Sequence, residues 1–304
     1  MNTQILLEGL VSGSMIGLGA IGLTLCYSIM RFANFAHGEL IAWGAYFAWL
    51  ASAALGAVLG LSLEPIEPFS FGWSLIGAAA LALPATAALA LLVDALLFRR
   101  LRRREATIII LVIASFGASI ALRSLLEFVF TSKPHYFSGE LQIAQPLFGG
   151  IRATPDQLLV LGVTTMTMLG LHLLLARSNA GREMRAVSEN PALAAIAGIE
   201  VARVVRRVWA LGGALAAVAG LTAGLLVQIR PYMGLDLLLP LFAAAILGGI
   251  GSVPGAFAGG LFIGLCEAVT VQTLGAEWRQ AVAFVVLTAV LIVRPGGLFG
   301  RAPS

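Results

Sequence analysis

A chain of 304 residues that is 59% hydrophobic and only 11% charged, with a mean hydropathy of +0.96, is excluded from the class of water-soluble globules. Its formal net charge of +4 does not point to nucleic acid, because the arginines gather between apolar runs as they do in the cytoplasmic loops of membrane proteins. Two cysteines, Cys26 and Cys266, both within apolar runs, make neither a disulfide framework nor a zinc site.

The first apolar run, 5–30, has no basic stretch before it and no convincing cleavage site, so it is expected to be a retained span. Gly9, Gly13 and Gly17 recur in it at intervals of four, a spacing that lets helix backbones approach closely in lipid. Asn34-Phe35-Ala36-His37-Gly38-Glu39 joins it to the second run, 39–60. His37 and Glu39 alone do not make a metal or acid–base site, since His135 and His172 fall in other segments. Their expected role is structural, satisfying backbone groups at a helix break. The third run, 73–98, ends in Arg99, Arg100, Arg102, Arg103 and Arg104, and the fourth covers 107–130. A connection over 131–156, with Pro134, Pro146, Pro155 and several glycines, has the composition of a surface loop, and the fifth run, 157–176, follows.

The polar connection 177–207 contains Ala180-Gly181-Arg182-Glu183-Met184-Arg185-Ala186-Val187 and then Asn190-Pro191-Ala192-Leu193-Ala194-Ala195-Ile196-Ala197-Gly198-Ile199. It reads as a cytoplasmic loop carrying one short helix, with Asn190 able to cap a helix start, Pro191 suited to the first turn and Gly198 a stop. Such an element is a docking surface for a motor protein.

Four runs remain, 208–229, 237–250, 255–273 and 278–294. The seventh, 237–250, is short for a crossing and carries Pro240, so a broken or re-entrant pair with its successor is one expectation and a ninth crossing the other. Placing both arginine clusters inside puts the N-terminus outside, with Arg31, Arg294 and Arg301 inside if the seventh run crosses, and Lys133, Arg152, Arg230 and Arg279 outside. Gly251, Gly255 and Gly259 repeat the spacing of the first glycine group. They belong to Gly248-Gly249-Ile250-Gly251-Ser252-Val253-Pro254-Gly255, which is rich in glycine but lacks the lysine of a phosphate-binding loop; Lys133 is the only lysine in the chain.

Glu8, Asp94, Arg123, Glu127 and Glu267 are ionisable residues within the apolar runs, all expected nearer span ends than centres. Arg123 and Glu127, one turn apart, are a candidate pair, with snorkelling of Arg123 as the alternative. The scarcity of midplane carboxylates argues against a proton-coupled carrier, and no ATP motif is present, so the energy source is expected on a separate chain. Ser115, Ser119, Thr164, Thr165 and Thr222 are polar enough to line a pathway or to bond their own helices.

The chain is therefore expected to be all-α, one polytopic helical membrane domain over 1–304 with about eight transmembrane helices, nine being possible, and a short cytoplasmic coupling helix within 177–207. It resembles the LivH-like permease subunits of branched-chain amino acid ABC importers. The resemblance rests on Asn34 to Glu39 with Gly44-Ala45-Tyr46, on Gly181 to Ala186 with Ala197-Gly198-Ile199, on Leu247 to Ser252 with Pro254-Gly255-Ala256, and on Arg294-Pro295-Gly296-Gly297-Leu298-Phe299-Gly300. Glu183 stands where relatives often have alanine.

The resemblance implies a bacterial inner-membrane importer with a second homologous permease subunit, two ABC ATPase subunits that bind the ATP, and a periplasmic solute-binding protein. It implies no catalytic residue, metal or cofactor on this chain and no nucleic-acid partner, only a small-molecule substrate and membrane lipid. Gly181, Arg182, Glu183, Arg185, Asn190, Pro191 and Gly198 would couple to an ATPase. Asn34, His37, Gly38, Glu39, Gly248, Gly249, Gly251, Pro254 and Gly255 would be structural family positions. Branched-chain or related amino acids are the expected substrates, with urea, short amides or aromatic acids as alternatives. A carrier or channel working alone is the competing function.

Overall fold

The computed structural model describes residues 3–62, 64–139, 142–146, 150–294 and 296–298. Its helices are α1 (Thr3–Met30), α2 (Ala36–Leu59), α3 (Trp73–Val93), α4 (Arg99–Arg103), α5 (Ile108–Phe130), α6 (Pro155–Arg177), α7 (Asn179–Glu189), α8 (Pro191–Ile196), α9 (Val201–Leu226), α10 (Met233–Gly248), α11 (Val253–Thr273) and α12 (Arg279–Val293). A π-helical stretch, Asp94–Phe98, joins α3 to α4 in one long rod. The only strands among the described residues are β1 (Gln145–Pro146) and β2 (Arg152–Ala153), an antiparallel pair in the long loop.

Eight helices have the length and apolar composition of a membrane span, as the hydrophobic runs predict. The seventh run forms α10, a helix of 16 residues with Pro240 inside it. α10 and α11 make a tight antiparallel hairpin, since a Cβ on Gly248 would lie 2.1 Å from the carbonyl oxygen of Gly255 and one on Gly259 would lie 2.3 Å from that of Ala244. The turn between them donates the Gly251 N–H to Thr24 Oγ1 at 2.8 Å, near the end of α1 where Arg31 stands. After α12 the chain returns to that end, where the Leu298 N–H meets the Leu247 carbonyl at 2.7 Å. The short helix thus runs to the same end of the bundle as the close of α1, antiparallel to α11, and Arg294 joins Arg31 on the arginine-rich face. Arg301, Pro295, Phe299 and Gly300 lie outside the described residues.

α1 sits at the centre: 89% of its most apolar window is buried, against 17% for α6 and 6% for α12. A helix apolar all round belongs in a core, and α1 earns that place through glycine. Gly9, Gly13 and Gly17 face α11, where a Cβ on Gly13 would stand 2.7 Å from Leu261 Cα. The two glycine groups do not meet each other. Gly260 and Gly264 are the glycines that meet Gly17 and Gly13; Gly255 and Gly259 face α10; Gly251 is a turn residue at φ +91°. Intervals of four identify a small face but not the neighbour it meets.

Two further expectations change. Arg123 and Glu267 each stand four residues from the midpoint of their helices, nearer the middle than the ends. Arg123 pairs across the bundle, 3.7 Å from Glu39 Oε1, rather than with Glu127. Ser115, Thr164 and Thr222 bond carbonyls of their own helices, whereas Ser119 donates to Glu39.

Candidate functional site

The polar connection on the arginine-rich face ends earlier than its charges suggest, because Arg203, Arg206 and Arg207 already belong to α9. Its remaining residues form two helices where one was expected. Ser178 caps α7, its Oγ accepting the Gly181 N–H at 3.1 Å. The helix ends at Asn190, which is extended at φ −151° because a following proline disfavours helical backbone. Asn190 Oδ1 then accepts the N–H groups of Ala192 and Leu193 at 3.0 and 3.1 Å, and Pro191 fills the first turn of α8. Gly198, at φ +84°, turns the chain toward α9.

α7 lies on the membrane helices through Gly181, Met184 and Val187, a buried stripe at intervals of three. A Cβ on Gly181 would sit 2.0 Å from the Leu175 carbonyl oxygen, so only hydrogen fits where α7 folds back on α6. Most charges expected to face a partner hold the segment itself. Arg185 Nη1 donates to the Leu175 carbonyl at 2.5 Å, Arg182 donates to Asn179 Oδ1, and Arg31 reaches from the end of α1 to the Ser188 carbonyl. Glu183, the departure from the common pattern, takes Arg207 Nη1 at 2.6 Å and ties α7 to α9. At the start of α9, Glu200 accepts from Arg206 at 3.2 Å with Arg203 2.7 Å away; those contacts hold its carboxyl below the ordinary carboxylate range.

This segment also exposes two large aliphatic side chains. Leu193 is 62% exposed and Ile196 84% exposed, both on α8, outside the spans, on the face where the charge clusters place the aqueous side. The sequence pattern points to the charged positions rather than to this pair. The available signal was two large aliphatic residues three apart inside an arginine-rich loop.

The second cluster lies between α1 and α2. The chain reverses through Arg31, at φ 58°, and starts α2 beside Gly19, eleven residues or roughly 16 Å before the end of α1. Non-helical backbone beside membrane helices needs internal partners. Asn34 Oδ1 accepts the Ala36 N–H at 3.1 Å, and Ser115 Oγ meets both the Phe35 N–H and the Ala33 carbonyl at 3.2 Å. His37 Nε2 lies 3.1 Å from the Gly19 carbonyl, and a Cβ on Gly38 would stand 2.5 Å from the Gly234 carbonyl oxygen at the start of α10. Glu39 accepts from Ser119 at 3.0 Å, and Arg123 stacks over Tyr232, its guanidinium carbon 5.2 Å from the ring centroid. His135 instead bridges to Ile229 through backbone hydrogen bonds, and His172 lies on α6, so the three histidines do not converge.

The third cluster is the α10–α11 turn. Gly248 and Gly255 admit the close backbone approach, and Gly249 and Gly251 take φ +91°. Ser252 Oγ caps α11 by accepting the Gly255 N–H at 3.1 Å, with Pro254 in the first turn. The run is a helical hairpin turn keyed to α1.

A family model described as "Branched-chain amino acid transport system / permease component" matches residues 5–291. The chain is 34% identical over 303 residues to the high-affinity branched-chain amino acid transport system permease protein BraD of Pseudomonas aeruginosa, covering 98% of this chain and 95% of that one. It is 33% identical over 304 residues to LivH of Escherichia coli, with the same coverage, and 28% identical over 316 residues to a probable LivH of Methanocaldococcus jannaschii, covering 99% and 93%.

Proposed function

The chain belongs to the permease family of branched-chain amino acid transport systems, and we propose that it serves as one membrane-spanning subunit of an ABC importer for branched-chain or related amino acids. In this reading a second homologous permease completes the pathway, two ATPase subunits bind and hydrolyse ATP, and a periplasmic solute-binding protein delivers substrate across a bacterial inner membrane. The observation that carries it is α8, a capped helix outside the spans with Leu193 and Ile196 exposed and α7 fixed beneath it. An exposed apolar pair held on a rigid base is a docking surface, and closure of the ATPases would move that base together with α1, α6 and α9. Gly181, Glu183 and Arg185 shape the base; Asn190, Pro191 and Gly198 shape the presented helix.

The test is affinity purification of the tagged chain from its native membrane, wild type and Ile196→Asp. Recovery of two ATPase chains and a second permease with the wild type, and loss of the ATPases alone with the variant, is expected. Full recovery of ATPases with Ile196→Asp refutes the docking assignment, and a wild-type chain that transports solute alone in liposomes refutes the importer reading.

A further inference from the structure

A cavity of about 280 Å³ opens at the end of the bundle opposite the arginine-rich face, where α11 ends and α12 begins. Met15, Met233, Leu237 and Pro240 give it an apolar floor, and Arg230, Asp236, Glu267, Arg279 and Gln280 give it a charged wall. Two of the acids on that wall are differently served. Asp236 has both oxygens occupied, by Arg230 at 2.8 Å and by Gln280 at 3.4 Å. Glu267 is 2% exposed, and only its Oε2 has a donor, Arg279 Nε at 2.7 Å; Oε1 is buried with no hydrogen-bond partner. An unsatisfied carboxylate oxygen in such a setting is costly and marks a place where a donor belongs. Arg279 meets Glu267 through Nε, and its side chain is 48% exposed, so it is free to swing.

The geometry points to a zwitterion site between Glu267 and Arg279 that takes an α-amino acid with an apolar side chain. This rests on the transport reading above and adds the place where the permease itself touches substrate. The ammonium group displaces Arg279 from Glu267 and supplies the missing donor to its carboxylate; the substrate carboxylate takes the released guanidinium in a bidentate pair. Each charge keeps an opposite partner through the exchange, so no buried charge is left bare. The aliphatic side chain lies on the methionine and leucine floor. An uncharged amide such as urea offers neither charge, and an organic acid offers only one.

The experiment uses the assembled transporter, reconstituted in proteoliposomes with its solute-binding protein, and follows leucine uptake for wild type, Glu267→Gln and Arg279→Gln. Loss of one charge-assisted hydrogen bond is expected to lower uptake about tenfold or more, while ATP hydrolysis by the assembled complex persists. A second measurement separates recognition from mere stability. With Cys26 and Cys266 replaced by alanine, Ala276→Cys at the cavity is labelled by a charged thiol reagent. Leucine is expected to slow that labelling, and to lose the effect when Glu267→Gln is added. Wild-type uptake of leucine that both variants retain, or labelling that leucine leaves unchanged, overturns the site while leaving the transport reading in place. A wild-type complex that takes up no apolar amino acid overturns the transport reading, and this site falls with it.

Discussion

Replacing Gly264 by alanine tests whether the centre of the bundle is held by direct contact of main chains. The added methyl carbon would lie 2.3 Å from both Cα and N of Gly13 and 2.5 Å from the Gly9 carbonyl oxygen. Carbon atoms rest at about 3.5–4.0 Å, so α1 and α11 must part by about 1 Å or more. Every atom it meets is backbone, and no rotamer change relieves the clash. Overpacking of this kind costs about 1–3 kcal/mol, and at 2 kcal/mol the folded-to-unfolded ratio falls roughly thirtyfold. The assay is thermal unfolding of the detergent-solubilised chain, in a Cys266→Ala background, followed by reaction of a fluorogenic thiol reagent with Cys26, which is 2% exposed on α1. Gly162→Ala and Gly170→Ala on α6 are the controls, because a Cβ at either finds nothing within 4 Å. Their midpoints should hold or rise, since alanine is the better helix former. A Gly264→Ala midpoint equal to those of the controls refutes the seam.

Three further outcomes follow from the coupling segment. Ser178→Ala and Asn190→Ala each remove a side-chain cap and should cost the segment about 1 kcal/mol, read as faster limited proteolysis between α6 and α9. A double-mutant cycle on Glu183 and Arg207, whose side chains are 33% and 39% exposed, should give a coupling below about 1 kcal/mol in thermal unfolding despite the 2.6 Å contact, because solvent screens it. The Glu200 carboxyl has its pKa depressed by Arg206 and Arg203, so its contribution is complete above the unfolded carboxylate pKa and is lost as pH falls through the depressed value. The difference in midpoint between wild type and Glu200→Gln should therefore shrink on acidification; a constant difference would show that the carboxylate charge is not responsible.

The spans were legible because burial in lipid leaves long apolar runs; the edges differ most at the start of α9, and α10 also begins four residues before its run, at Met233. α9 begins seven residues before its apolar run because Arg203, Arg206 and Arg207 are helical, Arg203 and Arg206 on its exposed side and Arg207 against Glu183 of α7. The cap at Asn190 was equally legible, since side-chain chemistry and proline act locally. The break it makes between α7 and α8 was not drawn from the same residues, although a proline that starts one helix also ends the one before it. Contacts across the bundle left no such trace. Glu39 and Ser119 are 80 residues apart, and sequence spacing pairs Arg123 with Glu127 one turn away rather than with Glu39 on another helix. Sequence position puts Glu267 near a span end, yet among the described residues it shares with Glu39 a buried carboxylate oxygen that no donor reaches.

The glycine seam also limits how α1 can travel. In the present alignment Gly17 meets Gly260 and Gly13 meets Gly264. Leu261 and Leu265, which flank these glycines, already lie against α1 at Gly13 and Gly9, so sliding α11 along the seam presses their side chains on the α1 main chain. The next alignment that again sets glycine against glycine lies four residues away, a step of about 6 Å. A displacement of α1 smaller than that step, imparted from the arginine-rich end, is therefore expected to carry α11 with it, because the close main-chain contacts at Gly13 and Gly17 oppose slippage.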